Sequence, residues 1–346
     1  MAKKPLIVYA GGFWSTNIGN AFFDLGCLYA IKTACPEAEV IFTQEQPANF
    51  WQLKKTNPKN ALDYIGDINA DYLVVAGPMI SKNFASFWQN TLEKTAERGT
   101  KLILLSAGCN SYDEEEKRRV HKFMKEIKPY AIITRDKYTY DNYGYLASNS
   151  YNGICCAFFV NDYFVPYKLD MKPYVVFNFD GISEPVFNKD KKNPGLFSLF
   201  GSEWRYKLNK KPRYIRKLSS YFEIFANKKY QNVFAKYQII RTRHSTQPSM
   251  TKILYAAPNT LASDVPYDYL NLYANAEAVF SDRVHACVPS LAFGIPTMFY
   301  GNTPRSGIFD RVGLNDIRQR PATINQDYLR AEKTNLLKYF QEVMRG

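Results

Sequence analysis

Histidine is scarce in this chain of 346 residues, with three in total, and long apolar runs are missing. No window approaches the roughly 18 consecutive apolar residues that a membrane-spanning helix requires. Residues 1–5 lead directly into a predicted strand, so we expect no signal peptide. These features favour a cytoplasmic protein that does not span a membrane.

The cysteines do not form a recognisable site. None has the spacing of metal ligands, and all lie among apolar neighbours, which is typical of reduced core thiols in the cytoplasm. The sequence therefore predicts no metal centre. The six residues expected in the core are Cys27, Cys35, Cys109, Cys155, Cys156 and Cys287.

Acidic residues are nearly missing from residues 189–252, where sixteen Lys and Arg accompany three acids. This segment accounts for the whole net charge of +13, because the remainder balances 29 basic against 29 acidic residues. Aromatic residues are interleaved with the charges. The combination is typical of a peripheral helix on an anionic membrane surface, of a groove for an anionic polymer, or of a solvated amphipathic insertion that packs on the second domain. Nucleic acid is the least favoured partner, because no binding motif accompanies the charge.

The first half of the chain alternates strand-like apolar runs with segments of helical spacing, which predicts a parallel, Rossmann-like sheet. Asn20 is expected to cap the first helix. The predicted strands are Leu6–Ala10, Val40–Thr43, Tyr72–Val75, Leu102–Ser106 and Ala131–Thr134, and the predicted helices are Ala21–Thr33, Phe84–Glu97, Asp113–Ile127 and Tyr138–Tyr145.

A second series of the same kind follows, and a chain of this length exceeds one ordinary core. Its strands are Tyr174–Phe179, Ala235–Arg241, Ile253–Ala257, Ala278–Ser281 and Thr297–Tyr300, with a helix at Tyr267–Asn275. Pro166 and Pro173 flank a polar link. We therefore predict an N-terminal Rossmann-like domain over 1–168 and a C-terminal one over 169–346. The second domain would carry the basic insertion and the closing C-terminal helices.

The densest chemical signal is the pair Arg283 and His285, which follows the predicted strand Ala278–Ser281 and opens a segment of helical spacing. Open α/β sheets bind ligands at this edge. A fixed guanidinium and a titratable imidazole suit an anionic substrate that also needs a proton. The structural alternative is an Arg283–Asp282 pair and a half-buried, satisfied His285.

Other candidate substrate ligands also follow predicted strands. Arg135 comes directly after Ala131–Thr134, where an ordinary pair with Asp136 is equally compatible with the pattern. The N–H groups of a turn before a helix attract anions. The further candidates are Arg241, Arg243 and His244, then Arg305 in the segment 301–306, and Asn17, Gly19 and Asn20 in the turn that opens the first helix.

Several of these segments together resemble the polysaccharide pyruvyl transferase family. Asp282–Ala286, followed by Gly294–Pro296, is similar to its C-terminal signature, an Arg-x-His-(Ala/Gly) with a Gly and a Pro about nine residues later. Asn17–Asn20 resembles its Asn-x-Gly-Asp turn. The Arg135-Asp136 pair resembles the Arg-Asp that this family carries after an apolar strand.

The resemblance covers roughly residues 5–165 and 255–315, with two departures. Asn20 stands where the family has an aspartate, so a carboxylate is missing. The segment 76–78, Ala-Gly-Pro, replaces an expected Gly-Gly-Gly turn, and Pro78 removes a backbone N–H that could hold an anion.

The resemblance implies two Rossmann-like domains that face each other across a cleft, as in GT-B-like proteins. It also implies transfer of the enolpyruvyl carbons of phosphoenolpyruvate to a sugar, usually as a cyclic pyruvate ketal. No cofactor is implied, because phosphoenolpyruvate is the donor substrate. The acceptor would be a sugar or lipid-linked oligosaccharide of a surface polysaccharide. Arg283 would hold a donor anion, His285 would contact phosphate or act as the acid, and Phe13 and Trp14 are candidates for acceptor contact.

Two other functions compete with this one. A glycosyltransferase on the same fold would use the same arginine to hold the diphosphate of a nucleotide sugar. A non-catalytic homologue would bind anionic lipid or polymer through the basic segment. Asn20 and the 76–78 turn speak for such a loss of activity, and intact Arg283 and His285 speak against it.

Overall fold

The computed structural model describes residues 4–44, 64–188, 193–208, 231–245, 255 and 257–346. Ten helices are present in these ranges, and several short 3-10 turns connect them. The helices are α1 Gly19–Ala34, α2 Tyr64–Asp67, α3 Phe84–Glu97, α4 Glu114–Ile127, α5 Lys137–Tyr143, α6 Val160–Tyr163, α7 Pro266–Ala274, α8 Val284–Ala292, α9 Gly307–Asp310 and α10 Gln326–Arg345.

The first half forms one parallel sheet of six strands in the order β2-β1-β3-β4-β5-β6. All five predicted strands are present, and β6 was not predicted because its residues are polar. The parallel arrangement follows from the helices that cross between the strands. The strands are β1 Leu6–Gly11, β2 Glu39–Gln44, β3 Tyr72–Ala76, β4 Lys101–Ala107, β5 Ala131–Thr134 and β6 Asn149–Asn152.

The second half forms a sheet in the order β11-β12-β7-β14-β15, with β13 also paired to β12. All its pairings are parallel except that of β11. The predicted strand Ile253–Ala257 lies almost entirely outside the described residues. The strands are β7 Tyr174–Asn178, β11 Val233–Phe234, β12 Tyr237–Thr242, β13 Thr260–Leu261, β14 Ala278–Ser281 and β15 Thr297–Phe299. Two Rossmann-like sheets confirm the predicted α/β, GT-B-like fold.

Part of the basic segment forms a small antiparallel sheet rather than a membrane-surface helix. Its strands β8 Val186–Asn188, β10 Ser202–Lys207 and β9 Gly195–Leu199 pair in that order. Phe197 and Trp204 are buried and share a core with the second large sheet. The aromatic residues of 193–208 therefore attach an insertion to the second domain. The other basic stretches, 189–192, 209–230 and 246–252, lie outside the described residues.

The closing helix α10 returns to the first half of the chain. The Tyr72 hydroxyl donates to the carbonyl of Met344, and the rings of Tyr151 and Tyr339 stack at 4.8 Å between centroids. Lys333 donates to Asp162 at 2.6 Å. The predicted division at residue 168 assigns α10 to the second domain, and these contacts pack it on the first half as well.

Helix α1 lies at the centre of the molecule, within a core cluster shared by both halves. Its residue Gly26 packs directly on the backbone of the turn Cys156–Phe159. A Cβ at Gly26 would lie 1.8 Å from the Cys156 carbonyl oxygen. Only glycine permits this approach, which fixes the turn that carries Cys155 and Cys156.

We expect Gly26→Ala to lower the free energy of unfolding by about 2 kcal/mol, through overpacking against rigid backbone. A loss of stability would be informative because helix propensity alone predicts a gain, since alanine is favoured over glycine in a helix by about 1 kcal/mol. Chemical denaturation measures the change. Gly307→Ala is the matched control, since its Cβ would come no closer than 3.7 Å to a neighbour. Equal stabilities of Gly26→Ala and wild type would contradict the prediction.

Candidate functional site

The two large sheets turn the carboxyl ends of their strands toward one cleft. The N–H of Ile18, after β1, donates to the His244 carbonyl, after β12, at 2.9 Å. The rings of Phe23 and His285 lie 5.3 Å apart. Strand β1 lies between β2 and β3, and β7 lies between β12 and β14. The later strands of each sheet are therefore added on both sides of these two strands. Both walls of the cleft are therefore topological switch points, where open α/β sheets bind ligands.

Arg283 reaches the cleft from the residue just before α8. Its N–H donates to the Ser281 hydroxyl at 2.9 Å, which fixes the exit from β14. Its guanidinium Nε lies 3.3 Å from a carboxylate oxygen of the buried Asp180, and a third of the side chain stays exposed. Asp282 instead accepts from the backbone N–H groups of residues 180–182. The predicted alternative, an Arg283–Asp282 pair, is therefore replaced by an Arg283–Asp180 pair.

His285 follows on the first turn of α8 and is partly buried. Its Nε2 lies 3.7 Å from the Cys155 sulfur of the first half. Burial, with Arg135 as the next cause, lowers the pKa of His285 well below its usual value. The imidazole is thus neutral at pH 7 in the free protein. An anion bound beside it would oppose the lowering, because a nearby negative charge favours the imidazolium.

Arg135 lies at the end of β5 and is 1% exposed. Its Nε and Nη1 have no hydrogen-bond partner anywhere in the described parts of the chain. The guanidinium lies against Gly108, where a Cβ would fall 2.2 Å from Nε. Asp136 caps α5 through the Thr139 N–H at 2.8 Å. A buried cation with unpaired donors is costly, so the arrangement points to an anionic ligand.

Arg305 completes the cationic cluster from the turn Pro304–Ser306. Its guanidinium donates to Asn110 of the first half. Burial, followed by the charges of Arg135 and Arg283, lowers the pKa of Arg305 to about 10. Three arginines from both halves therefore share one electrostatic environment with His285. We call Arg135, Arg283, Arg305 and His285 the cationic cluster.

The predicted turn over residues 17–20 shapes the wall of the cleft. Asn17 accepts from the Gly19 N–H at 3.2 Å, and its amide donates to Asn20 at 3.2 Å. Asn20 donates to the Phe13 carbonyl instead of capping α1, which begins at Gly19. The expected cap is therefore wrong, because these amides bond to one another. Gly19 leaves room for the His244 ring, whose Nδ1 would lie 2.6 Å from a Cβ.

The three candidate residues at the end of β12, which are Arg241, Arg243 and His244, do not share one role. The guanidinium of Arg241 is 3% exposed and binds both carboxylate oxygens of Glu184, at 2.8 and 2.7 Å. This pairing commits Arg241 to the fold and speaks against its predicted role in substrate binding. Arg243 offers its carbonyl to the Tyr269 hydroxyl at 3.0 Å. His244 is buried and bonds to the Tyr273 hydroxyl at 2.6 Å, and burial lowers its pKa well below the usual value.

Asp24 is a carboxylate that the sequence interpretation missed. It lies on α1 one turn after Asn20 and accepts from the Tyr9 hydroxyl and the Trp14 indole, each at 2.6 Å, and from the Gly12 N–H at 3.0 Å. Burial raises its pKa to about 7. The sequence signal for Asp24 was its spacing of four residues from Asn20, which puts the side chains of Asn20 and Asp24 on one face of α1. Because the indole N–H of Trp14 donates to Asp24, this N–H is engaged within the fold.

Cys155 was also missed as part of the site, since nothing local distinguishes it from the other buried thiols. His121, on α4, bonds to the Asn142 carbonyl at 2.7 Å. In the described ranges no three His, Cys, Asp or Glu side chains are grouped to hold a metal ion. No described helix is both long and apolar enough to cross a bilayer.

We expect both cleft histidines to be neutral down to below pH 6.5, since burial lowers their pKa values. The unfolded chain then takes up more protons than the folded one, so stability falls as the pH decreases below about 6.5. Sulfate held by the three arginines would raise the pKa of His285 the more, because all three lower it besides burial, whereas Arg283 alone of the three acts on His244.

Titration of ¹³C-labelled histidine, with and without sulfate at constant ionic strength, measures these values. The chain gives only three histidine signals. His285→Gln and His244→Gln assign the two cleft signals. Titration of His285 at its ordinary pKa, or without any response to sulfate, would contradict the prediction.

Comparison with known proteins agrees with this fold. The fold is similar to the S. aureus MnaA-UDP co-structure, with 12% identity over 98% of this chain and 91% of that chain and a TM-score of 0.53. A UDP-N-acetylglucosamine 2-epimerase structure gives 12% identity over 99% and 91% and a TM-score of 0.53. No curated protein matches the sequence. The model of the family described as polysaccharide pyruvyl transferase matches residues 17–304. The chain therefore belongs to the polysaccharide pyruvyl transferase family.

Proposed function

We propose that this protein transfers pyruvate from phosphoenolpyruvate to a sugar of a surface polysaccharide or of its lipid-linked precursor, with a pyruvate ketal as the product. The observation that carries the proposal is the cationic cluster. Its three arginines come from both halves of the chain, and Arg135 keeps two buried donors without a partner in the described structure. Such a site suits a small ligand with more than one negative group.

The donor fits this chemistry because phosphoenolpyruvate carries a carboxylate and a phosphate on adjacent positions. Planar guanidinium groups bind both kinds of anion through paired hydrogen bonds. Arg135 would take the inner anionic group, since it is buried. Arg283 and Arg305 are partly exposed and would close on the outer one.

The reaction needs a proton at C3 of the enol, which makes C2 electrophilic. His285 supplies this proton once the bound dianion has raised its pKa. The acceptor hydroxyl then adds to C2 and loses its own proton, and the C2–O bond to phosphate breaks. The first hydroxyl returns its proton to His285. Attack by a second hydroxyl at C2 closes the ketal and passes its proton to the departing phosphate, which the arginines stabilise.

Glycosyl transfer from a nucleotide sugar is the second candidate. The similarity to a UDP complex of the same fold is the observation that favours it. In that reaction the cationic cluster would hold a diphosphate. The two functions differ in the ligand that the cluster recognises, so a binding measurement separates them.

We expect phosphoenolpyruvate to raise the melting temperature of the wild-type protein and UDP or GDP to leave it unchanged. A ligand that binds only the folded state adds about 2.7 kcal/mol at a hundredfold excess over its Kd. Arg305→Ala should remove most of the shift, because Arg305 shares its environment with Arg135 and Arg283. Arg320→Ala, an exposed residue paired to Asp316, is the control. A shift with UDP or GDP alone would replace the proposal with glycosyl transfer.

We expect His285→Ala to slow pyruvyl transfer by about 10²- to 10⁴-fold, the usual contribution of a general acid. The shift with phosphoenolpyruvate should persist, since the three arginines remain. Phosphate release measured with a mixture of acceptor glycans reports the rate. His121→Ala is the control, because His121 bonds to Asn142 on the first domain. Unchanged turnover in His285→Ala would exclude the acid role.

A further inference from the structure

A cavity of about 720 Å³ opens between the two halves of the chain. The first half contributes the loop before α4, the start of α5 and the end of β6. The second half contributes the turn Pro304–Ser306 and α9. The lining side chains used below are Tyr112, Tyr138, Asn152, Ser306 and Asp310. Small-molecule sites fall in this size range, and the volume exceeds what a three-carbon acid needs.

The cavity adjoins the cationic cluster. Arg135 immediately precedes the lining residue Asp136, and Arg305 lies between the lining residues Pro304 and Ser306. Tyr112 lies close enough to both arginines to influence their pKa values. A ligand in the cavity would therefore meet the donor that the cluster holds.

Tyr112 is held in the cavity wall against its backbone preference. Its φ of 59° is in the left-handed region, which a bulky side chain rarely adopts. The buried Glu116 accepts from the N–H groups of Ser111 and Tyr112, at 2.8 and 2.9 Å, and holds this conformation. The Tyr112 hydroxyl donates to Asp136 at 3.0 Å. Strain kept in place by surrounding bonds is typical of functional sites.

The lining combines aromatic faces with hydroxyl-binding groups. The rings of Tyr112 and Tyr138 lie 5.2 Å apart. Asn152 has a buried side-chain oxygen without a partner among the residues that the structure describes, and Asp310 has an exposed carboxylate. Sugars offer an apolar C–H face for rings and hydroxyl donors for such oxygens. We propose that this cavity is the acceptor-sugar subsite, in place of the predicted contacts of Phe13 and Trp14.

This assignment rests on the proposed function, but its test is independent of the donor. Saturation-transfer NMR with a mixture of the methyl glycosides of glucose, galactose, mannose and N-acetylglucosamine reports weak binding directly. We expect transfer to at least one glycoside. Tyr138→Ala should weaken it about fivefold or more, through loss of a stacking face. Tyr140→Ala, on the same helix but outside the lining, is the matched control.

The outcomes separate the subsite from the donor. Loss of glycoside binding in Tyr138→Ala, with an unchanged melting shift by phosphoenolpyruvate, supports the subsite. Equal binding in wild type and Tyr138→Ala, or no binding of any glycoside, overturns it even if the donor still binds. Displacement of the glycoside by UDP would assign the cavity to a nucleotide and would also overturn it.

Discussion

The buried guanidinium of Arg135 is the constraint on which the electrostatics of the rest of the cleft depend. A charge of this kind in a protein interior is costly unless it is paired, and two of its donors have no partner in the described structure. Gly108 provides the flat surface on which it lies, and a bulge between β4 and β5 shifts the strand register there. After burial, the same charge is the next cause that lowers the pKa values of His285 and Arg305. An anion bound beside Arg135 would pair its charge and would also oppose the lowering of the pKa values of His285 and Arg305.

The cluster depends on a fixed relation between the two halves. Arg135 belongs to the first half of the chain, whereas Arg283, His285 and Arg305 belong to the second. A single core cluster extends through both halves, and α1 lies within it. The closing helix adds a second connection, because it leaves the second half and packs on the first. The positions of the four groups are therefore set by shared packing, in addition to their own loops.

Much of this fold could be predicted because parallel strands that are buried on both faces appear in the sequence as continuous apolar runs. Arg283 and His285 were recognisable because a strand end and a helix start place them at the ligand-binding edge. Cys155 and Gly108 were not, since their importance comes from contacts with Arg135 and His285 that are distant in sequence. The sequence around Phe197 and Trp204 left a membrane-surface helix and an insertion that packs on the second domain open, and the structure shows the insertion, with both rings in the core. In β10, Trp204 and Tyr206 alternate with polar residues, which was the strand signal.

The electrostatics also suggest an order of events under the proposed reaction. In the free protein, His285 is neutral because burial and the neighbouring arginines oppose its protonation. Arrival of the donor dianion opposes that lowering, so binding of the donor itself favours the protonated form of His285. The acceptor cavity adjoins the cluster at Tyr112 and Arg305. A sugar that enters it therefore meets a donor that is already activated. The unpaired charge that makes the empty cleft unfavourable thereby couples donor binding to the proton transfer that follows.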